Sequence, residues 1–251
     1  MAINPGLSLA WGRRINLRVI HASRRPSVLE IVGQHGGLRG NPALRYERGT
    51  TLDARSDLGP KNRRFTLRLF GRHADDLIDW TATSFGRATP INRSSVDVLG
   101  ASSNIHLKTR SWRLTSSYRW QHEWVYDNPL ENQARRLTAS PTHRFKSSLW
   151  WTGTHLRLGT FFDWSSARYL DAANLRQQQA QGRLDLSLGY RFSPSQPMTL
   201  SLHVMNALDT QQSLLYLMPG TIEVQAPLQD RWGQVLPGRR FMIGFHMRQQ
   251  R

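Results

Sequence analysis

In GRLDLSLGYRF, residues 182 to 192, the apolar side chains of Leu184, Leu186, Leu188, Tyr190 and Phe192 fall on every second position. Successive side chains of a β-strand point to opposite faces, so these five share one face while Arg183, Asp185, Ser187, Gly189 and Arg191 share the other. The same division recurs along the chain. SWRLTSSYRW sets Trp112, Leu114, Tyr118 and Trp120 against Arg113, Thr115, Ser117 and Arg119. HLRLGTFFDW sets Leu156, Leu158, Phe162 and Trp164 against His155, Arg157, Gly159 and Asp163. In MTLSLHV, Met198, Leu200, Leu202 and Val204 oppose Thr199, Ser201 and His203, and FMIGFHM groups Phe241, Ile243, Phe245 and Met247. Sheets with one apolar and one polar face are what such a pattern builds.

About eleven strands are predicted, at 6–11, 15–23, 47–57, 63–80, 91–107, 111–124, 143–151, 155–167, 181–192, 198–206 and 239–247. Short turn signals separate some of them, at 12–14, 57–62 and 193–197. Long polar stretches separate others, at 24–46, 81–90, 126–140, 168–180 and 207–236. Long loops alternating with short turns between strands of about ten residues is the organisation of an antiparallel transmembrane up-and-down β-barrel. A soluble sandwich alternates too, but without aromatic residues at the strand ends. Trp80, Trp112, Trp120, Trp150, Trp151 and Trp164 lie near the limits of their runs, where an interfacial girdle belongs.

Charge sets a rival expectation. The chain carries 34 Lys+Arg against 17 Asp+Glu, a formal charge of +17, so a basic soluble β protein that stacks bases on aromatics and contacts phosphates with arginine is the alternative reading. The cations are nearly all arginine, lysine occurring only at Lys61, Lys108 and Lys146, and they are spread over the whole chain. That dispersion fits a compositional bias better than a local binding patch.

Other chemistry finds little footing. The chain has no cysteine, which removes thiolate metal sites, disulfides and a catalytic thiol. The histidines at 21, 35, 73, 106, 122, 143, 155, 203 and 246 form no ligand spacing, so no metal or cofactor is expected, and His155 and His203 suit a polar lining. Asp75, Asp76 and Asp79 suggest a strand end near an outer surface, since adjacent carboxylates on a strand face apart. No nucleophile elbow or phosphate loop occurs, so no catalytic residue is named and an enzyme is not expected. Nor does any apolar run have the length of a signal peptide core or a spanning helix.

Six short motifs in order carry a family resemblance. LRVIHASRRPSVLEI has a strand ending in Arg-x-Pro and then a Glu-Leu-like pair; GNPALRYE carries Asn41, Pro42, Leu44 and Glu47; LFGRHADDLIDW carries Asp76, Leu77 and Ile78. PTHRF carries Pro141 and His143, LSLHVMNALD carries Asn206 and Asp209, and LPGRRFMIGF carries Pro237, Gly238 and Arg239. In these the chain resembles the C-terminal half of the barrel of TonB-dependent outer-membrane receptors, over almost all of its 251 residues.

The resemblance implies an all-β partial barrel, with eleven of about 22 strands, in the Gram-negative outer membrane. It implies a receptor that, full-length, imports a scarce nutrient such as a ferric siderophore or cobalamin, bound from outside by long loops. Outer-membrane lipid is the implied surrounding, no nucleic acid is an expected partner, and the TonB system would couple only through a plug domain that nothing in 1–251 resembles. Substrate contacts are expected in the loops at 33–40 and 209–235, with Arg39 and Arg231 favouring an anionic ligand; a substrate-binding set is otherwise unknown. The chain departs from the pattern at Ser102, where an acidic residue is usual after the pair Gly100 and Ala101, and in continuing past Phe245 as HMRQQR. A truncated gene, a mis-called start or half of a split receptor is the expected origin, and the chain alone is not expected to transport.

Overall fold

A computed structural model describes residues 6–11, 15–35, 38–82, 88–126, 135–192, 198–216, 223–227 and 235–247. Its strands are, in order, β1 (Gly6–Trp11), β2 (Ile15–Arg24), β3 (Gln34–His35), β4 (Leu38–Arg39), β5 (Glu47–Leu58), β6 (Arg63–Ala82), β7 (Ala88–Lys108) and β8 (Trp112–Tyr126). They continue with β9 (His143–Thr152), β10 (Leu156–Ser165), β11 (Arg168–Tyr169), β12 (Gln177–Gln178), β13 (Gln181–Arg191), β14 (Met198–Met205), β15 (Gln212–Tyr216), β16 (Glu223–Pro227) and β17 (Arg240–Met247). One five-residue helix, α1 (Val28–Val32), follows β2.

Eleven strands form one continuous antiparallel meander in the order β1, β2, β5, β6, β7, β8, β9, β10, β13, β14, β17. These are the eleven strands that the alternation predicts, and the sheet is open, β1 and β17 being its edges. Register aligns the apolar positions from strand to strand. Leu107 faces Leu114, which faces Leu149, and the row continues through Thr160, Leu186 and Val204 to Phe241. The apolar face has no second sheet against it among the described residues: Leu158 is 45% exposed, Leu52 58% and Ile243 79%. Among the described residues the buried hydrophobic side chains are Ala74, Ile78, Val96 and Val125, the sparse core of a single layer. A face of this extent left to water is unstable, whereas in lipid it is matched.

Tryptophan marks the band's height. Trp112 faces Trp151 near the short-turn end, and Trp120 lies on the same face of β8 eight residues on. Eight residues span ~27 Å along a strand, or ~20 Å once tilted, which is close to the ~25 Å apolar band of a membrane barrel. Trp150 departs from the expected girdle. It faces Arg113 and Gly159 on the opposite side of the sheet, as the pleat requires of a residue next to Trp151.

Two segments differ from the sequence expectation. The loop at 24–46 is ordered by α1, whose capping box pairs Ser27 with Glu30, and by the β3 and β4 hairpin. Parts of 168–180 and 207–236 join as a second, four-stranded sheet in the order β11, β12, β15, β16, because long loops at one end of a sheet can pair their backbones with each other. β7 begins at Ala88, earlier than predicted, and runs through Pro90. The missing N–H costs nothing there, since β8 pairs with β7 only from Ser95 onward. The turns at 12–14 and 193–197 lie outside the described residues. At the 57–62 turn Gly59 has φ +83°, and a Cβ there would meet the Arg63 carbonyl oxygen at 2.1 Å, so only glycine closes it.

Candidate functional site

The arginines that look dispersed in sequence are gathered by the pleat. Arg18, Arg55, Arg68, Arg119, Arg157 and Arg183 all stand on the polar face, because each occupies the alternate position to an apolar neighbour. That face is the concave one. Side chains as far apart in the sheet as Arg72 on β6 and Arg240 on β17 line one cavity of about 590 Å³ at the long-loop end. Register, which sequence spacing alone does not reveal, thus stacks the cations of successive strands on one face.

The cavity is lined by Arg72, Arg119, Arg144, Arg168, Arg183 and Arg240, against the carboxylates Asp79 and Asp163. Asp163 is held by Arg144 at 3.3 Å and Lys146 at 3.2 Å. Asp79 is buried against buried Arg93 at 3.2 Å. Arg183 pairs with Asp185 at 3.2 Å, and Arg168 donates to Gln178 at 3.0 Å. Arg119 makes no ion pair among the described residues and lies 5.8 Å from the centre of the Phe70 ring. Gln181 also lines the cavity, and its buried Nε2 has no hydrogen-bond partner among the described residues. An excess of guanidinium plus an unsatisfied amide donor is suited to an anionic, oxygen-rich ligand.

Carboxylate hubs hold the rim. Glu47 accepts from Arg24 at 3.1 Å, from Arg72, and from the backbone N–H of Ile78 at 3.3 Å. Arg24 also reaches Glu30 at 2.9 Å, which ties α1 to the wall. Burial pushes the Glu30 carboxyl up, but hydrogen bonds from the Ser27 N–H, the Arg24 guanidinium and the Ser27 hydroxyl outweigh it and hold the group below its ordinary range. Glu123, fully buried, accepts from Arg136 at 2.8 Å and from Gln121 at 2.8 Å. Both Glu123 and Arg136 are missed by motif reading; a carboxylate on an otherwise cationic face, opposite a polar loop, is the signal for them.

The motif residues prove to be strand-end fasteners. Asn206, at φ +52°, bonds through Nδ2 to the carbonyls of Thr210 at 3.1 Å and Pro237 at 3.4 Å. Asp209 accepts from Gln211 at 3.0 Å and from the Arg239 N–H at 2.8 Å, and these bonds hold its carboxyl below the ordinary range. The motifs at 200–209 and 236–245 are thus joined in space. Asn41 donates to the Pro90 carbonyl at 3.1 Å, and Asp76, at φ +53°, pairs with Arg45 at 2.6 Å. His143 meets the Tyr118 hydroxyl at 2.7 Å. Arg39 is exposed on β4 and does not line the cavity; Arg231 lies outside the described residues, as do parts of 33–40 and 209–235. Asp75 does not join Asp76 and Asp79; it lies on the lipid-side face, 3.5 Å from His73.

Ser102 faces Arg68 on one side and Arg119 on the other. An acidic residue there would stand between two guanidinium groups, so the serine leaves the middle of the wall more positive.

Comparison with known proteins agrees with this architecture. Residues 2–207 match the family model described as TonB dependent receptor-like, beta-barrel. The structure of the siderophore receptor PiuA from Acinetobacter baumannii is similar with a TM-score of 0.64 at 12% identity, covering 97% of this chain and 35% of that one. The copper transporter OprC gives 0.63 at 14% identity, with 94% and 37% covered. The ferric-catecholate import receptor Fiu from E. coli K12 gives 0.61 at 13% identity, with 96% and 34% covered. The chain therefore spans about a third of the length of these structures. No curated protein matches it by sequence.

Proposed function

Because the chain belongs to the TonB dependent receptor-like β-barrel family, we propose that it is the C-terminal part of an outer-membrane receptor wall that takes up an anionic ferric siderophore. The observation that carries the ligand class is the arginine-lined cavity at the long-loop end, with six guanidinium groups, two carboxylates and the Gln181 amide, which has no partner among the described residues. In this reading the long loops face outside, the short turns face the periplasm, and the exposed apolar rows face lipid. Cavity arginines would bind the oxygen donors of the ferric complex by charge-assisted hydrogen bonds, while the Glu47 and Glu123 hubs keep the rim from moving.

Import needs more than this wall. Eleven alternately directed strands leave β1 and β17 running the same way, so antiparallel closure takes further strands whose first and last both oppose them. A second copy inserted in the same sense presents a parallel strand at each seam. The missing half of the wall, and the plug through which the TonB system couples, are assigned to other sequence, and the isolated chain transports nothing.

The test is a tryptophan-fluorescence titration of the chain in a neutral detergent with ferric enterobactin and, as a ligand without net anionic charge, cobalamin. Ferric enterobactin is expected to bind more tightly, and Arg168→Gln with Arg240→Gln to weaken it about tenfold. Cobalamin binding as tightly, with the double variant changing neither, would overturn the reading.

A further inference from the structure

Strands β14 and β17 carry four methionines, and they divide into two pairs. Met198 and Met247 face each other on the lipid side, where the alternation puts apolar side chains. Met205 and Met242 stand on the opposite, concave side, at positions the alternation gives to polar residues. Met242 lies directly opposite His203, and Met205 lies two residues beyond His203 on the same face of β14. Facing Cβ atoms in an antiparallel pair are ~5 Å apart and diagonal ones ~7–8 Å, within the reach of methionine and histidine side chains. His203 makes no hydrogen bond or ion pair among the described residues, and its neighbour on β13 is the small Ser187. Met242 is 55% exposed, so it does not serve as packing for this chain. Met205 also lines the edge of the 590 Å³ cavity.

We propose that His203, Met205 and Met242 form a binding site for a soft monovalent cation, Cu(I), on the concave wall. The donors are one imidazole nitrogen and two thioether sulfurs. All three are uncharged, and thioethers bind through polarizability, which selects Cu(I) over hard ions such as Ca²⁺ and Mg²⁺. Charge around the site points the same way. Asp185 of β13, the carboxylate that reaches this end of β14, is already taken by Arg183 at 3.2 Å and by the Asn206 N–H at 2.8 Å. Arg240 stands opposite Met205, and a guanidinium repels a dication twice as strongly as a monocation. Histidine spacing alone does not reveal the site, because two of its donors are thioethers and one of those is on another strand. Neither the register nor the donor chemistry depends on the siderophore reading.

The test titrates Cu(I), kept reduced by ascorbate under argon, into the whole chain in dodecyl maltoside against the chromophoric chelator bicinchoninate. The chain is expected to withdraw a single Cu(I) from the chelator. The variant carrying Met205→Leu and Met242→Leu, which keeps side-chain volume close to that of methionine, should lose at least about tenfold in affinity. Should that variant fail to fold, oxidation footprinting of the unsubstituted chain decides: Ag(I), a redox-inert stand-in for Cu(I), should protect Met205 and Met242 from hydrogen peroxide in preference to Met198 and Met247. The lipid-side pair is the control, since it offers two thioethers and no imidazole. Unchanged affinity in the variant, or protection that is absent or equal at all four methionines, overturns the proposal. Displacement of Cu(I) by Zn²⁺ at equal concentration would make the imidazole the dominant ligand and also overturns it. Ferric enterobactin quenching, read on the copper-free chain, reports the siderophore reading separately, so either can fail alone.

Discussion

Two rings on the concave wall are built alike and live in opposite surroundings. Phe70 lies on Gly100 of the next strand and Trp150 on Gly159, each ring filling the space its glycine leaves, and each carries arginine, Arg68 and Arg119 on the first and Arg157 on the second. Around Phe70 the charges are largely answered from within: Asp53 takes Arg68, Glu47 takes Arg72, and Glu123 takes Arg136. Around Trp150 nothing among the described residues answers them. One sheet thus has a region, from Phe70 to the rim, where several arginines are paired with its own carboxylates, and a short-turn end whose cations pair with none among the described residues. The first holds these charges by ion pairs within the chain, whereas the second holds Arg157 by an aromatic ring alone.

The sharpest way to break the contrast is to delete one charge from each end. Glu123 is fully buried, and Glu123→Ala strands the Arg136 guanidinium beside a hole, so a loss of about 3–5 kcal/mol in unfolding free energy is expected. Arg157→Gln removes a cation that pairs with no carboxylate among the described residues but stacks on Trp150, and a loss of about 0.5–1 kcal/mol is expected. Urea unfolding in detergent, followed by tryptophan fluorescence, measures both. Equal losses would mean that the short-turn end is internally compensated and that the contrast is wrong.

The sheet was largely legible because its signal is local. Alternation is read from a few neighbouring residues, and it placed all eleven strands of the meander, including the lipid-side rows of Leu186, Leu188 and Tyr190. The pairing of Asn206 and Asp209 with the segment at 237–239 was legible as two motifs but not as one fastener, since Asp209 and Arg239 lie 30 positions apart. The cavity was not legible for a related reason. Arg72, Arg119, Arg183 and Arg240 converge only through the register and curvature of several strands, and composition reads them as dispersed. The small four-stranded sheet depends on backbone pairing between loops whose side chains carry no alternation, as in Gln177 and Gln178. Trp150 leaves the girdle for the concave side because its neighbour Trp151 occupies the lipid side, as the two-residue period requires.

A second, smaller effect tests the part that the two ends share. Gly100→Ala and Gly159→Ala each drive a methyl group into an aromatic ring, at 2.3 Å from Phe70 and 2.4 Å from Trp150, so both should cost about 1–3 kcal/mol by the same urea measurement. The two differ in what else changes. Moving Phe70 disturbs Arg68, already tied to Asp53, and Arg119, whereas moving Trp150 releases Arg157, so only Gly159→Ala is expected to speed the modification of Arg157 by phenylglyoxal. Faster modification of Arg157 in Gly100→Ala as well would mean that the two rings are coupled through the sheet.

The smallest effect concerns how the carboxylate-held rim responds to acid. Glu30 belongs to the chain of contacts from α1 through Arg24 to Glu47, and its carboxyl in the folded chain lies below its ordinary range. A group whose affinity for protons is lowered on folding contributes stability that is complete above its unfolded pKa and is lost as pH falls through the folded value. Acidification from neutrality should therefore release α1 only below the usual carboxylate range. Glu30→Gln should remove that pH dependence together with about 1 kcal/mol of capping, read as amide hydrogen exchange at Ile31, whose N–H bonds to the Ser27 carbonyl at 3.1 Å. The short-turn end offers a control within the same molecule: its cavity lining carries no carboxylate, so the amide of Arg191, bonded to the His155 carbonyl at 2.7 Å, should show no protection step in that acidic range. A matching step at both ends would show acid acting on the whole sheet, and the two regions would then be one cooperative unit.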